Sequence, residues 1–238
     1  MMQQKNQTLA FVASPETQAS AAAGADWQQE MTLLGLKSDT DKTATSSTDS
    51  IAMIGPMVIA EMAGRYAGLE DSGRYSVENL QSASENISAN MRANVSYKTY
   101  AVQDLKTDSD TSYERMLTYR SDLRAALAPL LQNTGSELEI YGKYIETADT
   151  IYLGQLSSAA ENYRAAAKNS AAITIPRDAV NYHKDILNAM EEFAATLDGL
   201  STHATDPLAS AALLRTYNKA ETDMYTSFNA LSSYYAQK

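Results

Sequence analysis

Apolar side chains recur every three or four positions throughout the second half of this 238-residue chain. The longest uninterrupted series has nine members: Leu138, Tyr141, Ile145, Ala148, Tyr152, Leu156, Ala159, Tyr163 and Ala166. This spacing places all nine on one side of an α-helix. A helix with one apolar side must bury that side against another element. The pattern therefore predicts packed helices and argues against a substantial β-sheet in this half of the chain.

Two further series, separated by a short loop, complete the C-terminal half. The first begins at Val180 and stops near Gly199, and the second begins at Pro207 and continues to the C-terminus. Asp206 before Pro207 is the arrangement expected at a helix start, because the N–H that proline lacks would have no helical partner there. A third long helix is predicted to begin at Ser136. We therefore predict an all-α fold, a bundle of about six helices in which the three long C-terminal helices pack antiparallel.

The first half of the chain is predicted to contain shorter elements. Residues 1–24 are mostly small or polar, and they carry too few large apolar side chains to offset the entropy of ordering. They are predicted to be a flexible leader, and residues 25–238 a single helical bundle domain. Within that domain we predict helices at 26–36, 51–69, 76–94 and 108–130, a polar loop at 37–50 and an extended connector at 95–107.

Charge and composition exclude several classes of protein. Nineteen Lys and Arg against 29 Asp and Glu give a net charge of −10. Such a surface repels phosphate backbones, and no local run of basic residues offsets it, so nucleic acid is not expected as a partner. The absence of cysteine excludes disulfides, thiolate metal sites and a cysteine nucleophile. The most apolar stretch, Ile51–Ala63, is too short to span a bilayer, and Met1–Ala10 lacks the apolar core of a signal peptide.

Few side chains suit catalysis. Of the two histidines, His183 lies on the apolar side of its helix, where a hydrogen-bonded core residue is the usual role, and His203 lies in a turn. The adjacent Glu191 and Glu192 point about 100° apart on a helix, so they do not converge on a substrate or metal. Neither histidine has a glutamate three positions before it, the spacing of di-iron bundles. We therefore expect no enzyme, no metal and no cofactor.

Tyrosine is the residue type that most favours a binding surface. The chain has 15 Tyr but only three Phe and one Trp. Tyrosine rings with a hydroxyl are commonly half-buried at the rim of a bundle, and they also form adhesive surfaces. We predict the first role for most of them. The candidate residues for a pocket or interface between the helices are His183, Tyr141, Tyr152, Tyr163 and Tyr217.

Five short segments carry a resemblance to a known group of proteins. They are IGPMVIAEM at 54–62, YAVQDL at 100–105, ELEIYGKYI at 137–145, IPRDAVNYHKDILNAM at 175–190 and DPLASAALLRTY at 206–217. From about residue 48 onwards, the order of features resembles uncharacterised helical envelope-anchored proteins of reduced-genome bacteria of the candidate phyla radiation. The resemblance implies an outward-facing helical domain after a single membrane anchor and a Thr/Ser-rich stalk, with no known activity or site. This chain lacks the anchoring segment, and a membrane tether upstream of Met1 is our hypothesis.

These observations favour a non-enzymatic structural or protein-interaction domain located outside the cytoplasmic membrane, in the cell envelope or at the cell surface. We expect an unidentified protein partner in a surface, pilus or secretion assembly, and the oligomeric state stays open. The alternative is a ligand-binding or sensory bundle with a pocket between its helices. A cavity with convergent Tyr hydroxyls would favour the alternative, and a solid core of Ala and Leu would count against it.

Overall fold

The computed structural model describes residues 49–238, and this part of the chain is an all-α bundle, as predicted. Its α-helices are α1 (Ile54–Asp71), α2 (Val77–Asn90), α3 (Tyr113–Ala126), α4 (Glu137–Thr147), α5 (Ile151–Ala171), α6 (Val180–Thr202) and α7 (Pro207–Ala236). The shorter elements are strands β1 (Lys106–Asp108) and β2 (Thr174–Pro176) and the 3-10 segments Val102–Asp104 and Ala128–Gln132. The predicted leader at 1–24, the predicted helix at 26–36 and most of the predicted loop at 37–50 lie outside the described residues.

Helix α6 packs against α5 on one side and α7 on the other. Helix α5 runs antiparallel to it, because hydroxyls of Ser157 and Ser201 lie 3.0 Å apart at one end and the carbonyl of Ser170 lies 3.2 Å from His183 Nε2 at the other. Buried side chains of α6 contact both neighbours over its whole length: Ile186, Leu187, Met190, Phe193, Ala194, Leu197 and Leu200. This helix therefore organises the core.

The crossing of α6 and α7 depends on a glycine. A Cβ built on Gly199 would lie 2.6 Å from Cδ2 of Leu213, whose side chain is fully buried. Real Cβ atoms do not approach other heavy atoms this closely. The absence of a side chain at Gly199 therefore allows α6 and α7 to approach each other at this point. At the opposite end of the pair, the rings of Tyr182 and Tyr234 lie 5.7 Å apart. The two contacts show that α7 is antiparallel to α6.

The start of α7 agrees with the sequence. The Asp206 carboxylate accepts the backbone N–H groups of Leu208 at 2.9 Å and Ala209 at 3.1 Å, and Pro207 is the first helical residue. These bonds satisfy two donors that a helix N-terminus would otherwise leave without partners. The prediction of a cap followed by proline is confirmed.

The predicted single helix at 136–166 is wrong in one respect, since the structure divides it into α4 and α5. Ala148 adopts a left-handed conformation, with φ 55° and ψ 20°, and its N–H donates to Tyr144 O at 2.7 Å, which ends α4. Asp149 Oδ1 then accepts the N–H of Ile151 at 3.0 Å and starts α5. The periodic spacing continues through the break, so it could not reveal a change of helix direction.

Two short strands add a parallel pair to the helical fold. Strand β1 pairs with β2 over three residues. Arg115 of α3 holds both strands, because its Nε binds Asp108 at 2.6 Å and its Nη2 donates to Thr174 O at 2.5 Å. The predicted start of this helix at residue 108 is therefore wrong, because Asp108 is part of β1. The cap is Ser112, whose hydroxyl accepts the N–H of Arg115 at 3.2 Å.

An extended segment at residues 91–101, hereafter the connector, reaches across α7 and α6. Its backbone forms hydrogen bonds with side chains of the helices and not with another strand. Thr216 Oγ1 accepts the N–H of Ala93 at 3.1 Å and lies 2.9 Å from Ala93 O, to which it donates. Asn188 accepts the N–H of Tyr100 at 2.7 Å and donates to Tyr100 O at 3.1 Å. These four bonds fix the connector against the bundle and satisfy the backbone N–H and C=O groups of Ala93 and Tyr100.

Replacing Thr216 with Val is expected to lower the free energy of unfolding by about 1–3 kcal/mol, because the buried N–H of Ala93 loses its acceptor while the volume is unchanged. Urea unfolding followed by circular dichroism would measure the change. Thr222→Val is the matched control, since Thr222 is exposed on the same helix and bonds only within it. Equal stability of the two variants would contradict the role assigned to Thr216.

Candidate functional site

The five residues predicted to line a pocket or interface lie in the core or at its margin. Tyr141 and Tyr217 are buried in one apolar cluster, and Tyr152 and Tyr163 pack against that same cluster in partly buried positions. The structure thus brings the four tyrosines together. His183 is fully buried beside a second cluster that lies towards the start of α6. None of the five lines either of the two clefts described below, and their use as a ligand pocket or interface stays a prediction.

Two of the four tyrosines donate their hydroxyls to carboxylates. Tyr163 OH donates to Glu137 at 3.0 Å, and Tyr217 OH donates to Glu221 at 3.3 Å. Burial, followed by the charge of these carboxylates, raises the pKa of both hydroxyls. The hydroxyl of Tyr141 is buried and has no hydrogen-bond partner among the described residues. These groups therefore stay protonated and are unsuited to act as bases at neutral pH.

His183 forms a buried polar pair with Tyr119 of α3. Tyr119 OH lies 2.8 Å from Nδ1 of His183, and Nε2 lies 3.2 Å from the carbonyl of Ser170. A carbonyl only accepts, so Nε2 carries the proton and Nδ1 accepts from Tyr119. Burial lowers the pKa of His183 to about 4, partly opposed by the bond to Ser170. The imidazole is therefore a neutral structural group that links α3, α5 and α6, in keeping with the core role predicted for it.

One surface cleft lies between the 3-10 segment at residues 128–132 and α5. It has a volume of about 410 Å³ and is lined mainly by amide and hydroxyl side chains and small residues. Two of its four amides are already engaged, because Asn162 Nδ2 donates to Asn133 Oδ1 at 2.8 Å and Asn133 Nδ2 donates to Glu137 at 3.5 Å. No charged side chain lines this cleft. It offers little to distinguish one ligand from another.

A second cleft, of about 420 Å³, lies where the connector passes over α5 and α6, and we call it the cationic cleft. Its lining residues are Ser96, Tyr97, Lys98, Tyr100, Arg164, Lys168, Glu191 and Ala195. Three cations and one carboxylate thus meet at one place on a chain whose net charge is −10. Two tyrosine rings complete the wall. Convergent polar groups beside aromatic rings are a feature of many ligand-binding sites.

The groups of the cationic cleft are ordered by their own contacts. Lys98 Nζ lies 3.1 Å from Tyr100 OH and 4.2 Å from the centre of the Tyr100 ring. Hydrogen bonding to Tyr100 is the main cause that raises the pKa of Lys98, so this amine stays charged. Tyr100 OH in turn donates to buried Glu191 at 3.4 Å. Arg164 pairs with Asp198 of α6, whereas Lys168 makes no ion pair with a described residue.

A third candidate region is the pair of helices α1 and α2. Six of the fifteen large apolar side chains that are exposed in the described part of the chain lie within residues 57–77, and we call them the α1–α2 surface: Met57, Ile59, Met62, Tyr66, Tyr75 and Val77. Their exposed fractions range from 45% to 74%. Ile59, Met62 and Tyr66 share one side of α1, with Met57 on the opposite side, and the rings of Tyr66 and Tyr75 lie 5.3 Å apart. Clustered exposed apolar side chains of this kind mark interaction sites more often than scattered ones.

Across residues 49–238, no group of three or more His, Asp and Glu side chains could hold a metal ion. Within that range, no helix has the length and apolar character needed to cross a bilayer.

The cationic cleft was not found by sequence reasoning. Arg164 and Lys168 stand four residues apart on α5, a spacing that puts both on one side of a helix and could have marked them. Tyr97 and Lys98 lie on the connector, whose position over α6 no periodic pattern indicates. The site therefore arises from tertiary structure.

Neither a protein-family model, nor a curated protein sequence, nor a solved structure matches this chain.

Proposed function

We propose that this chain is a non-enzymatic protein-interaction domain located outside the cytoplasmic membrane, where it presents the α1–α2 surface to another protein of a surface, pilus or secretion assembly. The observation that carries the interaction role is the exposure of that surface. Ile59 and Val77 expose 63% and 74% of their area, respectively. The location outside the cytoplasmic membrane rests on the resemblance of the sequence to envelope-anchored helical proteins.

The apolar side of α1 favours a helical partner with an apolar side of its own. Ile59, Met62 and Tyr66 are three and four residues apart, so they lie on one side of this helix. Glu61 and Arg65 pair with each other at 2.7 Å on the helix surface, which leaves most of the remaining area between residues 57 and 68 apolar or small. A partner helix would bury this area.

Replacing Ile59 and Met62 together with Ser is expected to weaken partner binding at least tenfold and to leave folding unchanged, because both side chains are already exposed. The partner would first be captured through a photoreactive residue introduced at Tyr66, and its affinity then measured by calorimetry. A photoreactive residue at Leu131, which is 88% exposed outside this surface, is the matched control. The proposal would be contradicted by equal yields of crosslinked partner from positions 66 and 131, or by an unchanged affinity of the double variant for the partner.

A second candidate function is ligand binding by the bundle, and the cationic cleft is the observation that favours it. The cleft is large enough for a small molecule. It lies between the connector and two helices, and its lining differs from the tyrosines and His183 expected from the sequence.

A further inference from the structure

The positive charge of the cationic cleft is concentrated on one turn of α5. Arg164 and Lys168 both line the cleft and are four residues apart on that helix. Neighbours at this spacing have their Cβ atoms about 5–6 Å apart, so one anionic group can contact both side chains. Like charges so placed repel each other, and an anion bound between them would relieve that repulsion.

The two side chains also have donors to spare. Lys168 is exposed and makes no ion pair with a described residue, so its ammonium has all its donors available. Arg164 uses Nη2 on Asp198, and a guanidinium carries five N–H groups. The ammonium group of Lys98 has fewer donors to spare, because it lies over the Tyr100 ring and close to Glu191. The anion-binding end of the cleft is therefore the α5 side.

Part of the remaining lining is aromatic or apolar. Tyr97 is partly buried, and its hydroxyl donates to Glu192 at 3.4 Å, which ties the end of the side chain to α6. Ala195 lies on the same helix and also lines the cleft. A tyrosine ring held in this way can contact the flat face of a ring without further ordering cost.

We propose that the cationic cleft binds a small organic anion, a carboxylate or a phosphate ester attached to a ring, with its anionic group between Arg164 and Lys168 and its ring against Tyr97 and Ala195. The inference rests on the ligand-binding candidate. It is independent of the α1–α2 surface, because no residue of that surface lines the cleft. Failure of one proposal therefore leaves the other intact.

Titration of the ¹⁵N-labelled protein with phenyl phosphate, followed through backbone amide resonances, tests the site. We expect saturable shifts at Tyr97, Lys168 and Ala195 and a tenfold or greater increase in Kd for Lys168→Gln. Phenylacetate, inorganic phosphate and phenol serve as comparison probes. Binding of phenyl phosphate or phenylacetate at least tenfold tighter than inorganic phosphate and phenol supports the proposal.

Lys143→Gln is the matched control, because it removes the same charge from an exposed lysine of α4. Its Kd should stay within twofold of the wild-type value. Urea midpoints of both variants should equal that of the wild type, since both lysines are exposed. Three results would each overturn the proposal. They are the absence of saturable shifts with either ring-bearing anion, an equal loss of affinity in the two variants, and binding of inorganic phosphate as tightly as the ring-bearing anions.

Discussion

Replacing Phe193 with Ala is expected to lower the free energy of unfolding by about 3–5 kcal/mol, which is a large part of the total stability of a typical domain. The Phe193 side chain is 1% exposed at the middle of α6. Its ring meets that of Tyr163 on α5 edge-on at 4.9 Å and that of Tyr217 on α7 at 5.1 Å. The truncation therefore opens a cavity and removes two aromatic contacts that join three helices.

Urea unfolding followed by circular dichroism would measure this loss. Leu131→Ala is the matched control, since Leu131 is 88% exposed and its truncation should change stability by no more than about 0.5 kcal/mol. A loss below about 1 kcal/mol for Phe193→Ala would show that the three helices do not share one core at this position.

Acid is expected to destabilise the protein through His183 by about 3 kcal/mol between pH 6.5 and pH 4. Burial lowers the pKa of this imidazole from 6.5 to about 4 in the folded chain. The unfolded chain therefore binds a proton at a higher pH than the folded chain does. The stabilising contribution of neutral His183 is complete above pH 6.5, decreases as the pH falls and is lost below about pH 4.

His183→Gln separates this effect from that of the carboxylates, because an amide can accept from Tyr119 and donate to Ser170 without titrating. The difference in free energy of unfolding between wild type and this variant should change by about 3 kcal/mol from pH 7 to pH 4. The variant His203→Gln, changed in the loop between α6 and α7, should still lose most of the stability that the wild type loses in acid. A pH-independent difference between wild type and His183→Gln would contradict a buried neutral imidazole.

The helices of the C-terminal half could be predicted from the sequence because their packing is periodic. Helix α6 starts at Val180 and α7 at Pro207, as the apolar spacing and the Asp206 cap indicated. Burial on one side of a helix repeats every three or four residues, so the pattern contains the information directly. The antiparallel arrangement could also be predicted, because short loops require consecutive helices to run in opposite directions.

The features that could not be predicted depend on single residues or on distant contacts. Helix α4 ends because Ala148 adopts a left-handed conformation. Alanine seldom adopts this conformation, so the residue type gives no sign of it in the sequence. Strands β1 and β2 are three residues each, too short for an alternating pattern to emerge. The cationic cleft joins residues 96–100 to α5 and α6, and its existence depends on hydrogen bonds from Thr216 and Asn188 to the connector.

Those bonds also bear on the order in which the molecule assembles. Thr216 is 123 residues from Ala93 in sequence, and Asn188 is 88 residues from Tyr100, whereas α5, α6 and α7 follow one another through short turns. Contacts between distant residues carry the larger loop-closure entropy and form more slowly. We therefore expect the three-helix core to form first and the connector to dock last. Until the connector docks, the helices carry Arg164, Lys168, Glu191 and Ala195, but the cationic cleft lacks the wall that Tyr97, Lys98 and Tyr100 provide.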